Sequence, residues 1–176
     1  MMITVLRLNH RIDRDKRITT HVGLVARAFG ADEMKVDTKD DSIARSLRSV
    51  TDRFGGSFSV KTGVKAKHIV KNWDGKVIHL TMYGQRLKEV IQSIDTSQPL
   101  LIIIGSEKVP AWCYEEADLN VAVGNQPHSE VASLSLFLDR ITSGSWEQKD
   151  FQGKLTIHPS KRGKVVESTD NEANHI

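Results

Sequence analysis

The sequence contains a single cysteine, Cys113, among its 176 residues. One thiol excludes an internal disulfide framework and any zinc site built from several cysteines. Apolar runs are short as well, and none approaches the roughly 20 residues that a membrane-spanning helix requires. The amino terminus shows no charged segment followed by an apolar one and a cleavage site. We therefore expect a cytoplasmic protein with no membrane partner and no bound metal.

The net charge is also small, because 22 Asp and Glu residues nearly balance 25 Lys and Arg residues. The distribution is uneven, however. The first thirty residues carry six basic side chains against two acidic ones, a surplus larger than the +3 of the whole chain. A local basic patch favours a polyanion such as nucleic acid. The length suits one domain of ordinary size, and a hydrophobic content of 39% is sufficient for a core.

Strand-like and helix-like segments alternate through the first 142 residues. The most apolar run, LLIII at residues 100–104, predicts a central parallel strand. The other predicted strands are residues 3–9, 34–36, 58–60, 77–80 and 121–123. A charged loop is expected at residues 10–17, followed by a helix that Thr19 or Thr20 would cap. The alternation predicts an α/β fold with a mostly parallel sheet and helices on both faces.

The composition changes after residue 142. Residues 143–168 alternate weakly between apolar and polar side chains, which predicts a small β-hairpin as a carboxyl-terminal extension of the domain at residues 1–142. The last segment, residues 169–176, is polar throughout. We predict that this tail is disordered.

Three polar loops follow predicted strands in the second half, at residues 81–84, 105–110 and 124–129. Open α/β sheets bind ligands at the carboxyl ends of their strands, and glycines let the backbone approach a ligand closely. None of the three loops contains a Gly-x-Gly-x-x-Gly or a Gly-Lys-Ser/Thr motif. Loops with many amides and no phosphate cradle suit an adenosine-type ligand that lacks phosphates. The plain alternative for the last loop is an ordinary strand–loop–helix connection.

Four sequence blocks resemble the SPOUT superfamily of knotted RNA methyltransferases, and within it the archaeal family that methylates the 2′-oxygen of cytidine 56 in the T-loop of tRNA. The blocks are HRIDRDKRITTHVGLVARAFGA (10–31), HLTMYG (79–84), IIIGSEKVP (102–110) and ADLNVAVGNQPHSEVASLSLFLDRI (117–141). The resemblance implies a deep carboxyl-terminal trefoil knot and a homodimer. It also implies S-adenosylmethionine as the cofactor and tRNA as the substrate, with no DNA partner.

The resemblance further implies that the three loops hold the cofactor. The expected contacts are Leu80, Gly105, Ser106, Glu107, Lys108, Val109, Val123, Gly124, Asn125, Gln126, Pro127, His128, Ser129 and Glu130. The apolar helix at residues 129–141 would then lie near the dimer interface.

A candidate for the chemistry comes from the first helix. Related enzymes carry the pattern Asn-x-Gly-x-x-x-Arg there, and its arginine is proposed to act on the ribose hydroxyl. Residues 21–27 match this pattern with His21 in place of the asparagine. The resemblance thus makes Arg27 the first catalytic candidate, before Arg17 and His21. Arginine is a poor base, so we expect it to orient or activate the hydroxyl. The plain alternative is a cation that complements the helix dipole.

Basic residues in the segment 10–17 predict contacts with RNA phosphates. The candidates are Arg11, Arg14, Lys16 and Arg17. Two other functions stay open at this point: methylation of another RNA nucleotide or of a base nitrogen, and RNA binding without catalysis. The intact loops at 105–110 and 124–130 argue against the second alternative, because a binding module does not need a cofactor pocket.

Overall fold

The computed structural model describes residues 1–106 and 108–169 of the chain. Six strands form one sheet in the order β3-β2-β1-β5-β4-β6, and every neighbouring pair is parallel. The strands are β1 (Ile3–Leu8), β2 (Glu33–Val36), β3 (Ser59–Thr62), β4 (Lys76–Arg86), β5 (Leu100–Gly105) and β6 (Leu119–Ala122). Strands β7 (Leu155–His158) and β8 (Val165–Ser168) pair antiparallel. The predicted α/β fold with a carboxyl-terminal hairpin is confirmed.

Helices connect the strands of the sheet. They are α1 (Ile12–Ala28), α2 (Asp41–Phe54), α3 (Ala66–Lys71), α4 (Leu87–Val90), α5 (Trp112–Glu116) and α6 (Glu130–Ile141). Two short 3₁₀ turns, Ile91–Ser93 and Ser145–Gln148, follow α4 and α6.

Apolar side chains of β1 alternate between the two faces of the sheet, and helices cover both faces. Ile3 and Val5 belong to the core that the sheet shares with α1, α2 and α6. Leu6 and Leu8 belong to a second core, shared with α3 and α5. This two-sided burial explains why the strand at residues 100–104 is apolar throughout. It also confirms the prediction of helices on both faces.

Helix α1 begins earlier than the sequence indicates. The predicted loop at residues 10–17 is wrong from Ile12 onward, and neither Thr19 nor Thr20 caps the helix. The carboxylate of Asp15 accepts hydrogen bonds from the backbone N–H of Arg11 at 3.1 Å and from its guanidinium at 2.8 and 3.0 Å. The first of these bonds satisfies the backbone amide of Arg11, one of the free amides at the start of the helix. Acidic residues in that turn also complement the helix dipole.

Strand β4 runs further than predicted, because its pairing with β6 slips between Leu80 and Gln85. At this irregularity a Cβ atom on Gly84 would collide with the backbone of Asn120 and Val121. Only glycine therefore allows the two strands to approach so closely. Beyond β4, the short helix α4 continues directly into one 3₁₀ turn.

The carboxyl-terminal extension packs on the ends of α1, α2 and α6. Trp146 stacks on Phe29 with ring centroids 4.0 Å apart and donates its indole N–H to Asp139 at 3.0 Å. The carbonyl of Phe151 accepts from the backbone of Gly56 at 2.8 Å.

The domain boundary at residue 142 stays a prediction. The predicted disordered tail lies outside the described residues, except for Thr169.

Candidate active site

The three predicted loops meet at the carboxyl edge of β4, β5 and β6, around a cavity of about 470 Å³. This volume lies within the range of cofactor sites. The lining residues are His79, Leu80, Thr81, Met82, Tyr83, Gly105, Ser106, Lys108, Val109, Tyr114, Gln126, Pro127, His128, Glu130 and Ser133. The name "three-loop pocket" refers to this cavity below.

Direct hydrogen bonds fix the loop after β5 to the end of β1. The Ser106 hydroxyl donates to the carbonyl of Asn9 at 3.1 Å, and the Asn9 side-chain amide donates to the carbonyl of Lys108. Asn9 adopts a φ of +57°, a conformation that asparagine tolerates better than most residues. A Cβ atom on Gly105 would collide with Val109 of the same loop. The loop is therefore closely folded and depends on glycine at this position.

The loop after β6 is fixed in a similar way to the irregular part of β4. The side-chain amide of Asn125 donates to the carbonyls of Met82 and Gly84, at 2.8 and 3.1 Å. Ser129 then caps α6, because its hydroxyl accepts from the backbone N–H of Val131 at 3.2 Å.

A buried arginine that the sequence did not identify as a site residue joins two of these loops. Nη1 of Arg7, on β1, donates to the carbonyl of Gly105 at 2.7 Å, and Nη2 donates to Glu130 at 2.9 Å. The alternation of side chains along β1 already marks Arg7 as unusual. Ile3 and Val5 point to the core on one face, and the next residue on that face is charged.

His79 forms part of the floor of the three-loop pocket and was also missed. Its Nδ1 lies 2.8 Å from the side-chain oxygen of Asn120, and its ring meets the edge of Tyr114 at 4.7 Å between centroids. Burial lowers the pKa of His79, and the bond to Asn120 only partly opposes this shift. The ring is therefore neutral near pH 7, so it adds no positive charge to the floor of the pocket.

Most of the residues predicted to contact the cofactor are brought together. Nine of them line the three-loop pocket: Leu80, Gly105, Ser106, Lys108, Val109, Gln126, Pro127, His128 and Glu130. Val123, Gly124 and Asn125 instead line a neighbouring groove of about 600 Å³, which Gln126 shares. Ser129 serves as the cap of α6, and Glu107 lies outside the described residues.

Arg27, the first catalytic candidate, does not line the three-loop pocket of this chain. It is the sixteenth residue of α1, about 22 Å along the axis from Ile12. The chain then enters β2 beside the start of β1, where the backbone N–H of Asp32 donates to the carbonyl of Ile3 at 2.9 Å. Arg27 therefore lies near the opposite edge of the sheet from the loops.

The surroundings of Arg27 indicate a packing role. Its side chain is buried, Nη2 donates to the carbonyl of Gly55 at 2.6 Å, and the guanidinium lies 4.6 Å from the ring centroid of Phe151. The other catalytic candidates differ. Arg17 and His21 are exposed near the start of α1 and line one shallow cavity with Arg14.

The predicted RNA-binding residues lie at the start of α1, close to the loop after β5. All four predicted residues are exposed, and Arg11 also forms an ion pair with Asp15. Arg11 also lines a cavity of about 530 Å³ whose wall includes Ser106 and Lys108. The basic start of the helix therefore adjoins a loop of the three-loop pocket.

Two classes of feature are absent from the part of the chain that the structure describes. Within residues 1–106 and 108–169, no three His, Cys, Asp or Glu side chains gather closely enough to hold a metal ion. In the same residues, no helix has the length and apolar content needed to cross a membrane.

Relatives of the chain share most of its length. A family model described as tRNA ribose 2′-O-methyltransferase, aTrm56, matches residues 54–167. A tRNA (cytidine(56)-2′-O)-methyltransferase of Methanothrix thermoacetophila is 56% identical over 169 residues, covering 94% of this chain and 97% of that protein. The chain belongs to the aTrm56 family. A protein of the same name from Thermofilum pendens is 50% identical, over 93% of this chain and 94% of that protein. The aTrm56 match includes all three loops of the pocket.

Solved structures with much lower sequence identity share the fold. An RNA 2′-O ribose methyltransferase aligns with a TM-score of 0.61 at 15% identity, over 81% of this chain and 56% of that one. The SpoU methyltransferase AviRb from Streptomyces viridochromogenes, crystallised with AdoMet, aligns with a TM-score of 0.55 at 16% identity, over 81% of this chain and 57% of that one. At these identities the likeness shows the fold alone, which is the SPOUT fold predicted from the sequence.

Proposed function

We propose that the protein transfers a methyl group from S-adenosylmethionine to the 2′-oxygen of cytidine 56 in the T-loop of tRNA, acting in the cytoplasm. The observation that carries this proposal is the convergence of three loops on one pocket, within a chain of the aTrm56 family. The basic start of α1 adjoins that pocket and supplies a surface for RNA. The trefoil knot that the resemblance implies belongs to this proposal.

The three-loop pocket has the features that S-adenosylmethionine requires. Gly105 provides backbone that a ligand can approach, and Leu80 and Val109 add apolar surface for an adenine ring. His79 stays neutral, so it does not repel the positively charged sulfonium. When bound, S-adenosylmethionine supplies the methyl group. The residues of the chain hold and orient both reactants, and such positioning accounts for much of the rate enhancement in group transfer.

For the group that acts on the ribose hydroxyl, we assign Arg17, with His21 beside it. Both side chains are exposed, and they stand four residues apart on one face of α1. A guanidinium there stabilises negative charge that develops on the 2′-oxygen. Arg17→Ala should therefore lower the single-turnover rate of methyl transfer by ~10² at saturating tRNA. Normal rates in this variant would contradict the assignment.

Phosphate contacts by Arg14 and Lys16 should contribute to affinity rather than to chemistry. Each lost contact flattens the dependence of log affinity on log salt by roughly one unit at most. Filter binding of Arg14→Ala at two salt concentrations measures this effect. Arg48→Ala is a matched control, because Arg48 is an exposed arginine on a different helix, α2. Equal salt slopes for both variants and wild type would contradict RNA binding at Arg14.

We further propose that the protein is a homodimer that uses α6. Leu136 of α6 is 48% exposed and lines a groove beside the cofactor loops together with the apolar side chains of Leu87 and Ile91. Exposed apolar surface of this kind is typical of interfaces. Light scattering of the wild type at micromolar concentration should give twice the chain mass, and Leu136→Asp should lower it. A monomeric wild type would contradict the dimer.

A further inference from the structure

We propose that Arg7 is a positioning residue for the cofactor pocket. Its guanidinium holds Gly105 and Glu130 at a fixed separation, so that the loop after β5 and the start of α6 keep the shape that the ligand requires. This inference rests on the proposed function, because it concerns the same pocket.

The geometry makes Arg7 a bridge between distant parts of the chain. On β1 it pairs in register with Ile104, next to the position where β5 ends in Gly105. Its two terminal nitrogens bind different partners, the Gly105 carbonyl at 2.7 Å and a Glu130 carboxylate oxygen at 2.9 Å. These partners are 98 and 123 residues away in sequence. The planar fork of arginine can reach both at once, which lysine cannot do.

Stability does not explain an arginine at this position. The Arg7 side chain is fully buried, and its Nε has no hydrogen-bond partner among the described residues. Taking two charges out of water offsets most of the attraction in a buried ion pair. The preceding residues on the same face, Ile3 and Val5, are apolar, as suits this core. Arg7 is therefore better explained by the geometry that it gives its partners than by a gain in stability.

Both partners of Arg7 line the three-loop pocket. Glu130 is the first residue of α6, and its side chain remains 30% exposed while one oxygen is bound to Arg7. Arg7 thereby sets the direction of this carboxylate and the position of the Gly105 carbonyl at the same time. A pocket held in its binding shape before the ligand arrives loses less entropy on binding. We therefore expect Arg7 to act on cofactor affinity through its two partners, without touching the cofactor.

The test uses S-adenosylhomocysteine as the probe and calorimetry on the full chain. Arg7→Met removes the fork and keeps an unbranched side chain, and it should weaken binding by roughly tenfold or more through lost preorganisation. Val5→Ala is the matched control, since it also perturbs the buried face of β1 but touches neither loop. It should lower the unfolding temperature and leave S-adenosylhomocysteine affinity within about twofold of wild type. Affinity for tRNA should stay unchanged in both variants.

Further variants keep the inference testable if Arg7→Met does not fold. Arg7→Lys retains the charge but reaches one partner, and Glu130→Gln removes the charge of the other. If both act through the same bond, their effects on S-adenosylhomocysteine affinity are not additive in the double variant. Additive effects, or wild-type affinity in folded Arg7→Met or Arg7→Lys, would overturn the inference. So would an equal loss of affinity in Val5→Ala. A wild-type protein that binds no S-adenosylhomocysteine would instead contradict the proposed function, and this inference with it.

Discussion

Replacing Arg27 with alanine separates structural from catalytic roles on α1. Arg27 is 7% exposed and lies where the end of α1, the end of α2 and the carboxyl-terminal extension meet. The substitution removes the donor to the Gly55 carbonyl and the cation that stacks on Phe151. It also leaves space between these elements. We expect the variant to be less stable than wild type, and we expect its methyl-transfer chemistry to be nearly unchanged.

The contacts of Arg27 set the magnitude of this loss. A hydrogen bond from a charged donor contributes about 1.5–3 kcal/mol, and a cation–π contact about 0.5–2 kcal/mol. Because both contacts share one guanidinium, their sum is an upper limit. We therefore expect the free energy of unfolding to fall by about 2–4 kcal/mol. For a chain of this size, each kcal/mol lowers the unfolding temperature by about 2–4 °C, which gives a decrease of roughly 5–15 °C.

Two measurements on the same preparations decide the role of Arg27. Thermal unfolding reports stability, and single-turnover methyl transfer at saturating tRNA, well below the unfolding temperature, reports chemistry. Arg17→Ala is the matched control, because an exposed arginine contributes within about 0.5 kcal/mol to stability. It should lower the rate and leave the unfolding temperature unchanged. The opposite result, an Arg27→Ala variant with wild-type stability and a ~10²-fold slower reaction, would refute the reasoning and restore the motif-based assignment.

Three further predictions concern the pocket, the pH dependence of stability and the thiol. Gly105→Val should abolish S-adenosylhomocysteine binding in calorimetry, because the new side chain displaces Val109 from its own loop; unchanged affinity in the folded variant would contradict this role for the loop. The Ser42 hydroxyl at 2.6 Å, with help from His10, lowers the pKa of Asp40 from 3.8 to about 2. A lowered folded-state pKa gives stability that is present above pH 3.8 and lost as the pH falls through about 2. Urea unfolding across this range should show a larger loss in wild type than in Asp40→Asn, and equal slopes would argue against it. Burial raises the pKa of Cys113 to about 12, so iodoacetamide should label it at mildly alkaline pH only after unfolding, as mass spectrometry can show; rapid labelling of the native protein would contradict its burial.

The apolar pattern was sufficient to predict the sheet and its helices. A strand buried on both faces must be apolar throughout, and the run at residues 100–104 is the central strand β5. The carboxyl ends of β4, β5 and β6 are adjacent in the sheet, so the three polar loops that follow them had to meet. The pocket was therefore predictable from topology, and the family followed from the sequence blocks.

Side chains that act across the fold were less predictable. The start of α1 depends on how Asp15 binds Arg11, an i,i+4 pair that was overlooked because the charged segment 10–17 was interpreted as a loop. Because the helix begins at Ile12, Arg27 lies about four turns from its start, at the far edge of the sheet. A match to a linear motif cannot detect such a displacement.

Arg7 shows the opposite case, in which a signal was present but incomplete. A charged residue on the inward face of an apolar strand indicates a buried interaction, because burying an unpaired charge is unfavourable. Its partners, Gly105 and Glu130, are too far away in sequence to be identified without the fold. The sequence could therefore mark this residue as unusual, but the pairing required three-dimensional structure.

The three-loop pocket is proposed to serve the methylation of one ribose in tRNA. The most direct test is incubation of unmodified tRNA with the protein and S-adenosylmethionine, followed by nuclease digestion and mass spectrometry to locate the added methyl group. We predict a single methyl group on the ribose of cytidine 56, and none when that nucleotide is 2′-deoxycytidine. A methyl group on a base or on a different nucleotide, or an unmodified tRNA, would contradict the account.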